Sequence, residues 1–262
     1  MHEIKSSRDI TEGLDEFYKK EDVAGAGEFL ESCLKRLREE KNTALELTVL
    51  SELMGFYRRN GNGTAAREVC LRGIELLEKG SVPDSLSKAA IWINAATTLC
   101  SCRDVDEDIE YFERAREIYL RLLRANAPLW ASYYNNLATA LESKKRLAEA
   151  RDNYLKALEI ASRTYQPCSV AVTAVNLACL ASKAGDEGEA DKYVGTAWDA
   201  LERERDRGEK YAFACRKCAE AMDLLGYFYD AARLNERADK IYEGAGNKRN
   251  MLLGKLYARS GG

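Results

Sequence analysis

Alanine recurs in step along this chain, at a spacing far longer than one helical turn. Aligning NAATTLCSCRDVDEDIEYFERAREIY from Asn94, NLATALESKKRLAEARDNYLKALEI from Asn136 and NLACLASKAGDEGEADKYVGTAWDA from Asn176 brings an Asn, an Ala two residues on and a further Ala into register. Extended both ways, the register places Leu14, Met54, Ala96, Ala138, Ala178, Ala219 and Gly254 at one position, about 41 residues apart. A second position holds Ala26, Ala66, Asp108, Ala150, Ala190 and Ala231, and a third, seven residues later, holds Cys33, Gly73, Ala115, Ala157, Ala197 and Ala238. Nearly all of these are small, and helices cross tightly only where the contacting side chain is small and larger neighbours fill the holes beside it.

The larger neighbours are present four residues after the second position, at Leu30, Cys70, Phe112, Tyr154, Val194 and Asn235, of which Asn235 departs from the apolar pattern. Gly61, Gly185 and Gly226 stand at one repeat position where a left-handed residue lets the chain leave a helix, with Arg103 and Lys145 at the equivalent places in two other repeats. The three prolines, Pro83, Pro128 and Pro167, each fall just ahead of a first helix, where a missing N–H costs nothing.

These signals predict helices over 11–20, 22–40, 43–60, 64–79, 85–101, 106–124, 128–143, 147–163, 169–183, 187–204, 209–224, 227–243 and 248–259. The expected fold is all-α: a right-handed superhelical solenoid of about six helix-turn-helix hairpins (10–40, 43–79, 85–124, 128–163, 169–204 and 209–243) in a single domain spanning 1–262. The last segment, 248–259, is expected to cap the stack, because an open end would expose a core face.

The small positions of both helices resemble the tetratricopeptide repeat family over almost the whole chain. The period is longer than the 34 residues usual in that family and is similar to the variant seen in kinesin light chains and many bacterial tetratricopeptide proteins. Armadillo and HEAT repeats share a comparable period, but Ala at both second-helix positions favours the tetratricopeptide reading.

The resemblance implies that first helices line a concave groove suited to an extended chain. It also implies that groove residues lie one, two, three and six before the first small position, and one, four and five after it. Asn94, Asn136 and Asn176 then occupy one equivalent position, with Asn135 beside the second and Thr97 and Thr139 on the same face. An Asn amide offers two donors and an acceptor oxygen, so it can pair with peptide backbone whatever the side chain. In related domains Asn at this position contacts the bound peptide. The same amides can instead bond a neighbouring helix or ordered water, and both readings stand open here. Arg58 and Arg59 near the second hairpin, and Arg216 and Lys217 near the sixth, make the ends of the groove basic, while Glu142, Glu220 and Asp223 are acidic.

Chemistry finds little support. The sole histidine is His2, so the commonest general base and zinc ligand is missing from the repeats. Cys215 and Cys218 form a C-x-x-C pair with no second pair to complete a metal site, and spacing of three on a helix suits two core cysteines. Cys100 and Cys102 would point apart on a helix. The acidic run from Asp104 lacks the Gly and distal Glu of a calcium loop and reads as a helix start. GNGT from Gly61 is too short for a phosphate cradle, and Trp92, Trp130, Tyr133, Tyr134 and Trp198 lie at spacings that serve packing.

With 40 Lys plus Arg against 43 Asp plus Glu, no long-range field recommends nucleic acid or anionic lipid as a partner. The opening MHEIKSSRDITEG carries charge where a signal peptide needs an apolar core, and no apolar run approaches the roughly 20 residues of a membrane span. Eight cysteines scattered through a large helical chain suit reduced thiols, so a cytoplasmic location is expected. The resulting expectation is a non-catalytic interaction module, without cofactor or metal, that binds a protein or peptide segment in its concave groove. Two alternatives remain: an architectural protein that oligomerises, and a peptide-responsive regulator of a partner protein. The resemblance reaches bacterial peptide-pheromone sensors, whose N-terminal DNA-binding domain is not expected here, because the repeat register begins by Leu14. Oligomeric state is left open.

Overall fold

The computed structural model describes residues 4–19, 22–80, 82–101 and 108–244. Its elements are α1 (Ser7–Lys19), α2 (Val23–Glu39), α3 (Thr43–Arg59), α4 (Gly63–Lys79), α5 (Leu86–Ser101), α6 (Asp108–Leu122), α7 (Leu129–Ser143), α8 (Leu147–Arg163), α9 (Pro167–Lys183), α10 (Glu187–Arg203), α11 (Glu209–Leu224) and α12 (Phe228–Gly244). No strand occurs among the described residues, so the all-helical expectation holds there. The predicted cap at 248–259, Gly254, Cys102, Arg103 and the run Asp104–Glu107 lie outside the described residues.

One turn geometry is used repeatedly. Gly61 N donates to Arg58 O and Asn62 N to Tyr57 O, at 3.2 and 2.9 Å, and Gly61 has φ +70°. This is the Schellman closure, in which a left-handed residue lets two late carbonyls be satisfied. Gly185 with Asp186, and Gly226 with Tyr227, repeat it. Lys145 adopts the same conformation at φ 60°, as the register requires. Lys41 (φ 56°) and Tyr165 (φ 52°) do so as well, between hairpins rather than within them. A side chain in this region costs about 1–2 kcal/mol, which the two recovered carbonyl bonds offset.

The residue after each left-handed position immediately starts the next helix. Asn42 Oδ1 accepts from Leu45 N, Asn62 Oδ1 from Ala65 N and Asp186 Oδ1 from Glu189 N, at 3.2, 3.1 and 2.9 Å. Asp22 caps α2 in the same way, through Gly25 N. Helix stop and helix start thus share one short link, which holds neighbouring helices antiparallel.

The described residues form two compact units, one of α1–α6 ending at Leu123 and one of α7–α12 starting at Arg124. In each unit the recurring small residues are buried. Ala26, Cys33, Ala66, Gly73, Ala96 and Ala115 serve the first, and Ala138, Ala150, Ala157, Ala178, Ala190, Ala197, Ala219, Ala231 and Ala238 the second. Phe112 and Tyr154 fill the holes beside them, also buried. Asp108 is the exception among the small positions of the second helices: a buried carboxylate that begins α6 and accepts from Ile109 N. Asn235, the exception among the large ones, accepts from Arg216 Nη1 at 2.6 Å, so a polar pair replaces the apolar plug.

Candidate functional site

The Asn series divides by what each amide touches. In the first unit Asn94 Nδ2 on α5 donates to Ser51 Oγ on α3 at 2.8 Å, a bond between consecutive first helices. Thr97 Oγ1 donates back to Ile93 O of its own helix at 2.8 Å. Arg58 and Arg59 close α3, where positive charge meets the negative end of the helix dipole.

In the second unit Asn176 Nδ2 on α9 and Thr173 Oγ1 both donate to Asn135 Oδ1 on α7, at 3.1 and 3.2 Å. The Asn135 oxygen is thereby occupied twice, and its NH2 group is left to act as a donor. Thr139 Oγ1 donates to Asn135 O at 3.0 Å and lies 3.1 Å from the Tyr154 hydroxyl. That hydroxyl donates to Glu142 Oε2 at 3.0 Å, while Lys183 Nζ donates to Glu142 Oε1 at 2.6 Å. Burial and the Glu142 carboxylate push the Tyr154 hydroxyl far above the ordinary tyrosine value, so it remains a neutral donor.

Arg216 does not stand with the Asn residues. Its guanidinium is bonded to Asn235 Oδ1 and to the Asp239 carboxylate, both on α12. Lys217 Nζ reaches Glu220 Oε2 of its own helix at 2.8 Å.

Asn135 and Asn136 do share a concavity, of about 230 Å³, on the first helices α7, α9 and α11. With them are Ser132 on α7, Ser169, Val172 and Thr173 on α9, and Lys210 and Phe213 on α11. Phe213 keeps 53% of its surface exposed, large for a phenylalanine with apolar neighbours to cover it. Ser132, Val172 and Phe213 each lie six residues before the small position, and Ser169 and Lys210 each lie nine before it. The family-derived spacing already contained the first three, whereas the second pair lies one turn further along the same helical face.

A second concavity, of about 600 Å³ in the first unit, is lined by Glu31, Leu34, Arg38, Tyr57, Glu68 and Arg72 among others. Its charges are largely consumed within the fold. Tyr57 donates to Glu31, and Arg38 and Arg72 both bond Glu46.

Five of the described cysteines, Cys33, Cys70, Cys168, Cys215 and Cys218, are core residues, and Cys100 and Cys179 are half-buried. Cys168, Cys215 and Cys218 are buried, and burial pushes their thiols up, Cys168 to about 12 with help from Glu204. Among the described residues no His, Cys, Asp and Glu group could hold a metal ion, and no helix is long and apolar enough to cross a membrane. Trp92 stacks on Tyr111 at 5.2 Å, and Trp198 lies under Arg233 and Arg237, at 4.9 and 5.1 Å from the guanidinium carbons.

A tetratricopeptide repeat model matches the sequence at residues 87–163 and 129–203. Comparison with curated proteins found no match. Among solved structures, the kinesin light chain nearly identical TPR-like repeats of Podosopora anserina superpose with a TM-score of 0.52 at 20% identity, over 81% of this chain and 97% of that one. BtubC (BKLC) from P. vanneervenii gives 0.55 at 18%, over 87% and 92%. NprR in complex with its cognate peptide NprX gives 0.56 at 17%, over 96% and 73%. At these identities the likeness establishes the fold. Together with the recurring buried alanines, it gives this chain the fold of a tetratricopeptide repeat array, and residues 87–203 match tetratricopeptide repeats in sequence.

Proposed function

We propose that this protein is a non-catalytic adaptor that holds an extended segment of a partner protein against the first helices of its second unit. The observation that carries this reading is the concavity on α7, α9 and α11, where the amides of Asn135 and Asn136 and the hydroxyls of Ser132 and Ser169 surround an exposed phenylalanine. Backbone-pairing groups beside an uncovered apolar ring are what an extended peptide needs. The NprR structure, which holds its cognate peptide NprX, supports the reading by similarity of fold. In the first unit Thr97, Arg58 and Arg59 enter the proposal as a second contact region, with Asn94 holding α5 to α3. No cofactor or metal takes part. Affinity capture from native lysate, run beside an Asn136→Ala/Phe213→Ser variant, tests the proposal: partners should be lost from the variant, and an unchanged partner set would refute it.

One observation favours a second reading, self-association. At the α11–α12 turn Leu224, Phe228 and Tyr229 are 84, 67 and 77% exposed, a cluster of apolar side chains with few neighbours. Light scattering decides it, since a monomer at high concentration rules out an oligomer built on this end.

A further inference from the structure

The chemistry of the concavity on α7, α9 and α11 is one-sided. Lys210 is the single charged side chain among the eleven that line it, and no carboxylate joins them. Asn135, its oxygen spent on Thr173 and Asn176, offers only N–H. The lining residues fall at 131–136, 168–173 and 210–214, within about the first two turns of three helices that begin at Leu129, Pro167 and Glu209. At none of these three starts does an N-cap side chain take up a first-turn N–H: Pro128, Gln166 and Gly208 all stand without such a bond. Lys210 is itself the second residue of α11, so its ammonium group stands at a helix start. Glu204 and Asp206 stand outside the lining, where Glu204 accepts from Cys168 Sγ and Asp206 N and Asp206 accepts from Gly208 N. Val172, Ala131, Ala214 and the exposed Phe213 supply the apolar floor.

We infer that this concavity selects an extended peptide in which an acidic side chain, met by Lys210, stands next to an apolar side chain laid on Phe213 and Val172. The carbonyls of such a peptide supply acceptors for Asn135 and Asn136, and its carboxylate matches the ammonium group of Lys210, the one charge in the lining. A single cation matches a single carboxylate, which favours one internal Asp or Glu over a terminus carrying two acids. The inference rests on the adaptor reading and adds the class of segment recognised.

The test is selection of random dodecapeptides displayed on phage against the full chain, with one library displayed internally and one ending in free C-termini. Internal peptides with Asp or Glu beside Leu, Ile, Met, Phe or Trp should be enriched. Lys210→Glu should reverse the charge preference towards Lys and Arg. Lys210→Gln should weaken binding of a synthesised winner about fivefold, and Phe213→Ser should erase the apolar preference. Circular dichroism verifies that each variant is folded; Lys210 and Phe213 are both exposed. Winners without an acid, an acid preference kept by Lys210→Glu, or enrichment confined to free C-termini would each overturn the inference while leaving an adaptor. No enrichment by the folded chain would remove both.

Discussion

Glu46 of α3 accepts from Arg72 Nε of α4 at 3.1 Å while only 3% exposed itself. Arg38 Nε of α2 reaches the same Oε1 at 3.2 Å, so one buried carboxylate ties three successive helices together. Removing the acid leaves Arg38 without this carboxylate and Arg72 with Glu75 alone, and both guanidinium groups stay partly in water. Glu46→Ala should therefore destabilise the chain by about 1–3 kcal/mol, less than for a fully buried pair, and Glu46→Gln by somewhat less. Urea midpoints of the two variants measure this, and a midpoint equal to the parent's would show that Glu46 merely sits there.

Glycines divide by conformation rather than by burial. Gly195 lies exposed in the middle of α10, and an added Cβ would meet nothing within 4 Å. Gly195→Ala should raise stability by about 0.5–1 kcal/mol. Gly185 also has open space around it, but with φ +79°. Gly185→Ala should lower stability by about 1–2 kcal/mol, and opposite shifts in melting temperature for the pair would confirm that backbone, not packing, governs both.

The alanine register made the hairpins legible because close helix crossings leave no room for another residue type, and Ala138, Ala157, Ala178 and Ala197 are all buried as that argument demands. Lys41 and Tyr165 were not legible as left-handed residues, since nothing in a lysine or tyrosine side chain announces φ above zero. The fold imposes it there by fixing the carbonyls on either side. The partners of Arg216 were not legible, because spacing reports the face of a helix but not where a long side chain ends, and Asn235 and Asp239 lie on the second helix of the same hairpin. Lys210 and Ser169 were not legible because the groove begins one turn nearer the helix starts than the family-derived spacing reaches.

Alkaline pH should loosen the fold. Burial, then the bond to Glu31, pushes the Tyr57 hydroxyl from 10.0 up to about 12, and the bond to Asp191 does the same for Tyr227. The unfolded chain releases these protons near pH 10 while the folded chain still holds them. Stability that is complete below pH 10 is thus lost as pH rises towards 12. Cys168, raised from 9.0 to about 12, adds to the loss in the same sense and begins it earlier. Urea midpoints taken from pH 8 to pH 12 should fall steadily, and Tyr57→Phe should flatten the upper part of the curve. A parent midpoint constant over this range would contradict the assignment.

The Asn residues, equivalent in sequence, should separate in experiment. Asn94 holds Ser51 across the α3–α5 contact, and Asn176 holds Asn135 across α7 and α9, so truncating either removes an interhelix hydrogen bond that is partly shielded from water. Each Ala variant should lose about 0.5–1.5 kcal/mol of stability. Asn136 lines the concavity on α7, α9 and α11. Asn136→Ala should leave the melting temperature within the small spread of surface substitutions, about 0.5 kcal/mol, and should weaken binding of a selected peptide. Loss of stability in Asn136→Ala equal to that in Asn94→Ala would mean that all three are structural. The division between a holding and a reading role along one repeat position would then be wrong.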